Sequence, residues 1–281
     1  MMANGQLDFA DIQRDIERNN AQWIAGDNPI WQLSEEQQLR RLGAAEPAHF
    51  RFPGPIHYHP GTRLPNAFDY RKIERKNYVT KIRDQGNCGS CVAFGSLGAI
   101  EATVSRHRKH ANPKLDLSEA HLFFCFGPAD GATCGTAWWP AKALPHCVNP
   151  GTVDEACFPY TDHDQPCKLC KDSKRRLTKI KSFSNLPSQS SIKHWLVRKG
   201  AVTVALDVYK DFLVYRSGIY RHVTGSRLGG HCVALIGYND VDQCWLCKNS
   251  WDTSWGEKGF FRIEYGQCRI DTWGVFGIEY R

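Results

Sequence analysis

The chain has 281 residues, with 36 Lys and Arg against 29 Asp and Glu, and a formal net charge of +7. Hydrophobic residues make up 42% and aromatics 12%, enough for a large packed core, which excludes a disordered chain. No run of about 18 apolar residues occurs, so no membrane span is predicted. Twelve Cys stand beside only 2 Met, the profile of a disulfide-stapled protein of an oxidising compartment. All twelve lie between Cys88 and Cys268. Residues 1–63 carry 8 acids against 6 bases, and the rest carries 21 against 30. An acidic, Cys-free segment thus precedes a basic, Cys-rich body.

Residues 1–20 are polar and lack the apolar stretch of a secretory signal peptide. Leu7, Ile12, Ile16 and Trp23 recur at helical spacing, which predicts a helix over 7–24. A second short helix is predicted over Ser34 to Leu42, ended by Gly43, with Glu35 and Glu36 favoured in its first turn by the helix dipole. Five prolines (Pro47, Pro53, Pro55, Pro60 and Pro65) make residues 44–65 an extended linker. The body begins near Leu64 to Phe68. From Ser90 a stretch apolar on most faces predicts a buried helix, and Ser118 to Phe126 another, with Ser118 as its N-cap. Beyond about residue 177 the texture turns to strands: Val202–Val208, Ile219–Val223, Val233–Tyr238, Trp245–Lys248 and Phe260–Tyr265.

Three Cys-x-x-Cys pairs, Cys88/Cys91, Cys167/Cys170 and Cys244/Cys247, admit three readings: a zinc site, a redox pair, or disulfide partners of distant residues. The surroundings of Cys91 favour a fourth role for that residue. It opens the buried helix, and a helix N-terminus stabilises a thiolate. A thiolate nucleophile needs an imidazole and a group that orients it. His231 follows Gly229-Gly230 at a predicted strand, and Asn249 ends another; they stand 140 and 158 residues beyond Cys91. Trp251 is placed to shield the His231–Asn249 bond from water. Gln85 is placed to donate its amide to an oxyanion beside the Cys91 N–H.

The run Gln85-Gly-Asn-Cys-Gly-Ser-Cys91-Val-Ala-Phe resembles the nucleophile motif of papain-family cysteine peptidases. Gly229-Gly-His231 and Asn249-Ser-Trp251, with Trp255-Gly256, resemble its other two blocks. Residues 209–225, Gly259–Ile263, Ile82–Gln85 and 23–28 are similar to cathepsin B-type members. The resemblance implies an α+β, papain-like two-lobed fold, with a mainly helical lobe over about 64–176, a β-barrel-like lobe over about 177–281 and the cleft between them. It implies Cys91 as nucleophile, His231 as acid/base, Asn249 as its orienter and Gln85 in the oxyanion hole, with no metal or cofactor. It implies the disulfides Cys88–Cys134, Cys125–Cys167 and Cys157–Cys170. Cys147, Cys232, Cys244, Cys247 and Cys268 stay unassigned. Residues 1–63 become an inhibitory prosegment lying in the cleft, so protein substrates, the chain's own prosegment and cystatin-type inhibitors are the implied partners of a monomer. Nucleic acid and membrane are not. A lysosome-like vacuole or secretion is the implied location.

Departures from the family pattern carry their own expectations. Val92 replaces a Trp, and Cys134-Gly-Thr136-Ala137 replaces a Cys-Asn-Gly-Gly whose last Gly pairs with substrate backbone. The substrate-binding set is therefore Thr136, Ala137, Gly230, Trp251 and Trp273. Trp273 stands where cathepsin B-type members place an acid, which predicts apolar rather than basic P2 side chains. Only nine residues separate Cys157 from Cys167, with the single His163, too few for the loop that blocks the cathepsin B cleft; endopeptidase activity follows. The rival reading is a weak or inactive relative that serves as a binding or matrix protein. His57-Tyr-His59 is read as incidental, and the seven bases and one acid of Lys168–Lys181 as a solvated loop.

Overall fold

The computed structural model describes residues 7–48 and 63–281. The predicted linker beyond residue 48, and His57 and His59 within it, lie outside the described residues. The chain builds α1 (Phe9–Arg18), β1 (Trp23–Ala25), α2 (Glu35–Arg40), β2 (Ala67–Asp69), α3 (Cys91–His107), α4 (Glu119–Phe126) and α5 (Pro140–Val148). It continues through β3 (Ser182–Asn185), α6 (Gln189–Arg198), β4 (Val202–Tyr209), β5 (Tyr215–Tyr220) and β6 (Arg227–Asn239). The last elements are β7 (Cys244–Lys248), β8 (Phe260–Glu264) and β9 (Phe276–Glu279).

The predicted helix over 7–24 is shorter than its apolar spacing suggests. Asp8 and Asp11 form a capping box at its start, and Asn20 at φ 48° breaks it after Arg18. Trp23 then enters β1, which pairs antiparallel with β5. Tertiary pairing decided that residue, not local periodicity. Its indole packs 5.2 Å from the Tyr220 ring and donates Nε1–H to the Arg221 carbonyl at 3.0 Å.

The strands form one open sheet in the order β1-β5-β8-β7-β6-β4-β9-β3, with β2 added to β6. The expected barrel-like closure is absent: β1 and β3 stand at opposite edges of the path. The predicted strand Ile219–Val223 is shifted to β5, and β6 extends well before Val233.

Helix α3 is buried along nearly its whole length, as its all-round apolar surface requires. Gly95 lets it lie directly on β6: a Cβ there would stand 2.8 Å from Cys232 backbone. The two halves are also joined by polar groups. Glu101 on α3 accepts the Leu117 N–H at 2.8 Å and the Thr80 hydroxyl, while Lys248 on β7 donates to Thr80 at 2.7 Å. Such a group of buried charges holds only because its members satisfy one another. Disulfides Cys88–Cys134, Cys125–Cys167 and Cys157–Cys170 tie the loops of the helical half together. Cys91, Cys147, Cys232, Cys244, Cys247 and Cys268 are free thiols. In the basic run, Arg176 pairs with Asp154 and Asp172.

Candidate active site

Cys91 starts α3, and His231 lies within β6, which packs on α3 where the two halves meet. Both are fully buried, and Asn249 is 2% exposed. His231 Nε2 lies 2.7 Å from Asn249 Oδ1. The Ser250 backbone N–H donates to the same Oδ1 at 2.8 Å, which fixes that atom as the carbonyl oxygen. Nε2 therefore carries the proton. Nδ1 is the remaining ring nitrogen, buried beside the Arg41 backbone of the leading segment. The Trp251 ring lies over the imidazole with centroids 4.7 Å apart, on the wall that keeps water from the Asn249 bond.

Gln85 is oriented in the same way. Its Oε1 accepts the Ser250 hydroxyl at 2.8 Å, so Nε2 is the end that points at the nucleophile's surroundings. That amide donates to the Cys88 carbonyl at 2.9 Å and to the Arg41 carbonyl at 3.2 Å. Tyr160 holds this loop from below, donating to the Gln85 carbonyl at 2.8 Å and meeting the Ser90 hydroxyl at 2.7 Å. Ser250 and Tyr160 were not anticipated from the sequence. Ser250 sits inside the Asn249-Ser-Trp251 block, where a signal was present.

The leading segment runs through this site. Past α2, Gly43 passes over Gly89, the Ala44 N–H donates to the Gly230 carbonyl at 3.1 Å, and the Ala45 N–H donates to the Trp138 carbonyl at 3.0 Å. The Trp138 N–H in turn donates to the Gly43 carbonyl at 2.9 Å. Of the expected substrate-binding residues, Gly230 pairs with the segment's backbone, while Thr136 and Ala137 show no backbone bond to it among the described residues. Thr136 is held in its own turn, its N–H on the Thr133 carbonyl at 3.1 Å and its hydroxyl on the Gly131 carbonyl at 2.8 Å. The backbone that pairs with the bound chain is one residue further on, at Trp138, whose indole is anchored on Asp130 at 3.0 Å. Trp273 is 7% exposed and lies 5.3 Å from Trp139, ring to ring. Its tip would stand 2.6 Å from a Cβ on Gly230, and its Nε1–H donates to Glu46 at 3.1 Å.

Electrostatics follow from this burial. Loss of solvent pushes the Cys91 thiol up to about 12, against the smaller opposite pull of the Gly43, Cys232 and Val92 backbone groups. Burial likewise lowers His231 to about 4, despite its bond to Asn249. The helix N-terminus alone was expected to favour a thiolate. With the cleft covered, desolvation outweighs it, and thiol and imidazole are both neutral. The charge relation between segment and body also differs from a simple acid-on-base clamp. Among the described residues, the ion pair across that interface is Arg41 of the segment on Asp84 of the body, at 2.6 Å.

A buried Cys–His–Asn line with a side-chain amide beside the sulfur, placed between a helical and a β half, defines a cysteine peptidase of the two-lobed type. Residues 64–278 match the papain family cysteine protease family. The chain belongs to that family. It is 34% identical over 273 residues to "Cysteine proteinase 1" of Entamoeba histolytica, covering 92% of this chain and 82% of that protein. It is also 34% identical over 249 residues to "Cathepsin B" of Dictyostelium discoideum, covering 78% and 76%. Among solved structures it superposes on proCathepsin B S9 from Trypanosoma congolense with a TM-score of 0.82 at 24% identity, covering 98% and 99% of the two chains. Digestive procathepsin L2 proteinase from Tenebrio molitor larval midgut gives 0.81 at 26%, covering 97% and 89%.

Proposed function

We propose that Cys91 attacks the carbonyl carbon of a peptide bond, after its proton has passed to His231 Nδ1. The oxyanion is received by the Gln85 amide and the Cys91 backbone N–H. His231 returns the proton to the departing amine, leaving a thioester on Cys91. Water then attacks the thioester, His231 takes its proton, and the acid is released with the thiol restored. Asn249 holds the imidazole in the tautomer this requires. One observation carries the reading: a peptide carbonyl, that of Arg41, already sits on the Gln85 amide beside the nucleophile.

We further read residues 1–63 as the inhibitory prosegment and 64–281 as the catalytic domain, with lobes dividing near residue 176. The segment's carbonyl on Gln85 and the neutral thiol support an enzyme made inactive and released by removal of the segment. The short His163 loop supports internal cleavage over C-terminal trimming. Trp273 lies beside Gly230 and packs on Trp139, an apolar wall, so the expected P2 side chain is apolar. Three disulfides and a fold made as a proform favour an acidic vacuole or the outside of the cell. Cystatin-type proteins would fill the same cleft, and the chain is read as a monomer.

Titration with an epoxysuccinyl inhibitor tests the central claim. One equivalent should label the matured protein on Cys91 and abolish hydrolysis of a blocked peptide, while a Cys91→Ala variant takes up none. Absence of labelling and of hydrolysis in the matured protein would favour the inactive binding relative instead.

A further inference from the structure

A groove of about 870 Å³ lies away from the site, lined by none of Cys91, His231, Asn249, Gln85 or Trp273. Its volume is that of a small-molecule pocket. Both halves of the body build it. Leu115, just before α4, and Phe260, the first residue of β8, line it together with Val79 and Ile82. These four give it an apolar floor. Its rim is cationic in an uneven way. Arg83 is spent on Asp116, and Arg71 is forked onto Asp69 and laid over the Phe260 ring at 4.7 Å. Lys81, Lys114 and Lys258 are exposed and have no acidic partner among the described residues. Asp116 is the one acid in the lining, and Arg83 neutralises it.

An apolar floor under three unpaired ammonium groups suits a ligand with an apolar chain and one anionic head. We propose that this groove binds an amphipathic carboxylate, its chain on Ile82, Leu115 and Phe260 and its head among Lys81, Lys114 and Lys258. The site is also connected to the chemistry. The Asn249 N–H donates to the Gly259 carbonyl at 2.9 Å, and Gly259 lies between Lys258 and Phe260. A Cβ on Gly259 would stand 2.5 Å from Ile82, so the two sides of the groove touch there. Arg83 precedes Gln85 by two residues, and the Gln85 N–H is held by the Ser250 carbonyl at 3.0 Å. A chain wedged on Ile82 and Phe260 therefore bears on the segments that position both Gln85 and Asn249. This effect on turnover rests on the peptidase reading; binding does not.

The test uses dodecanoate below its micellar concentration, with calorimetry on the full chain carrying Cys91→Ala. One equivalent should bind saturably, and a Lys81→Ser/Lys114→Ser/Lys258→Ser variant should bind at least tenfold more weakly. Dodecyltrimethylammonium, with the same chain and the opposite head, should also bind at least tenfold more weakly. A Lys168→Ser/Lys171→Ser/Lys174→Ser variant, equal in charge change, should bind as the parent does. Equal binding by the first variant, or by the cationic amphiphile, overturns the site. In matured enzyme, saturating dodecanoate should change kcat or KM for a blocked peptide at least twofold, and the first variant, with unaltered basal values, should show no change. Binding that moves neither parameter overturns the coupling. Failure of the peptidase reading would show separately, as absent epoxysuccinyl labelling with dodecanoate binding intact.

Discussion

Gly43 of the leading segment lies against Gly89 so closely that a Cβ on Gly43 would stand 1.9 Å from the Gly89 carbonyl oxygen. Backbone on both sides leaves nothing flexible to move aside. The segment crosses the nucleophile's loop where neither chain has a side chain, and this close passage seats the Arg41 carbonyl on Gln85.

Gly43→Ala should therefore undo the docking without touching the body. The expected result is an uncut precursor that reacts with an active-site probe at least tenfold faster than the parent. Gly26→Ala is the control, since its Cβ would meet only the Arg216 side chain, at 2.5 Å. Unchanged probe reactivity in the Gly43 variant would show that the passage does not hold the segment in place.

The covered thiol sets a second expectation. With Cys91 pushed up to about 12, only about one molecule in 10⁵ carries a thiolate at pH 7. Alkylation of Cys91 by iodoacetamide, read site by site in a mass spectrometer, should be at least a hundredfold slower in the precursor than after maturation. Raising the pH from 7 to 9 should speed alkylation of the precursor about a hundredfold, as a thiol that titrates near 12 requires. Equal rates in the two forms would contradict a desolvated thiol.

A third concerns stability and lies away from the cleft. His121 on α4 is 3% exposed, and its Nδ1 accepts the Val153 N–H at 3.1 Å. Burial first, and His146 second, lower its pKa to about 4 from an ordinary 6.5. The unfolded state thus binds more protons between those values, so stability is complete above pH 6.5 and falls as the pH drops toward 4. The loss is about 3 kcal/mol. Urea unfolding of the Cys91→Ala precursor at pH 7 and pH 4 should show it. His121→Asn keeps an acceptor for Val153 and should remove about 3 kcal/mol of the acid loss, leaving what the buried His231 contributes over the same range. An unchanged slope would assign the acid lability elsewhere.

Trp273 gives a fourth. Its ring lies beside Gly230 and packs on Trp139, so Trp273→Ala should open room for a larger P2 side chain. A P2-varied fluorogenic series should show kcat/KM for Leu or Phe rising at least tenfold relative to Ala, the discrimination expected of a few buried methylenes. No change in the ratio would mean that the wall lies elsewhere.

The residues around Cys91 were legible because the chemistry demands particular groups at particular places along the chain. Cys91, His231, Asn249, Gln85 and Trp251 announce themselves in short blocks, and the two-lobed α+β architecture follows from the same resemblance. What was not legible depends on three-dimensional register. Trp138, rather than Ala137, pairs with the segment because the loop around Cys134 turns back on itself through Thr133 and Thr136. Trp23 sits in a strand rather than a helix because β5 offers it an edge. The open sheet depends on which strands fail to meet, and no local pattern records that. The protonation of Cys91 is likewise a property of what covers it.

On the reading proposed above, strand β1 belongs to the prosegment, and it completes the sheet beside β5. Its departure strips Trp23 from Tyr215 and Tyr220 and leaves the backbone of residues 215–218 without its neighbour. On that reading, loss of the segment would bare a strand edge flanked by aromatic rings, where an extended peptide could add a strand.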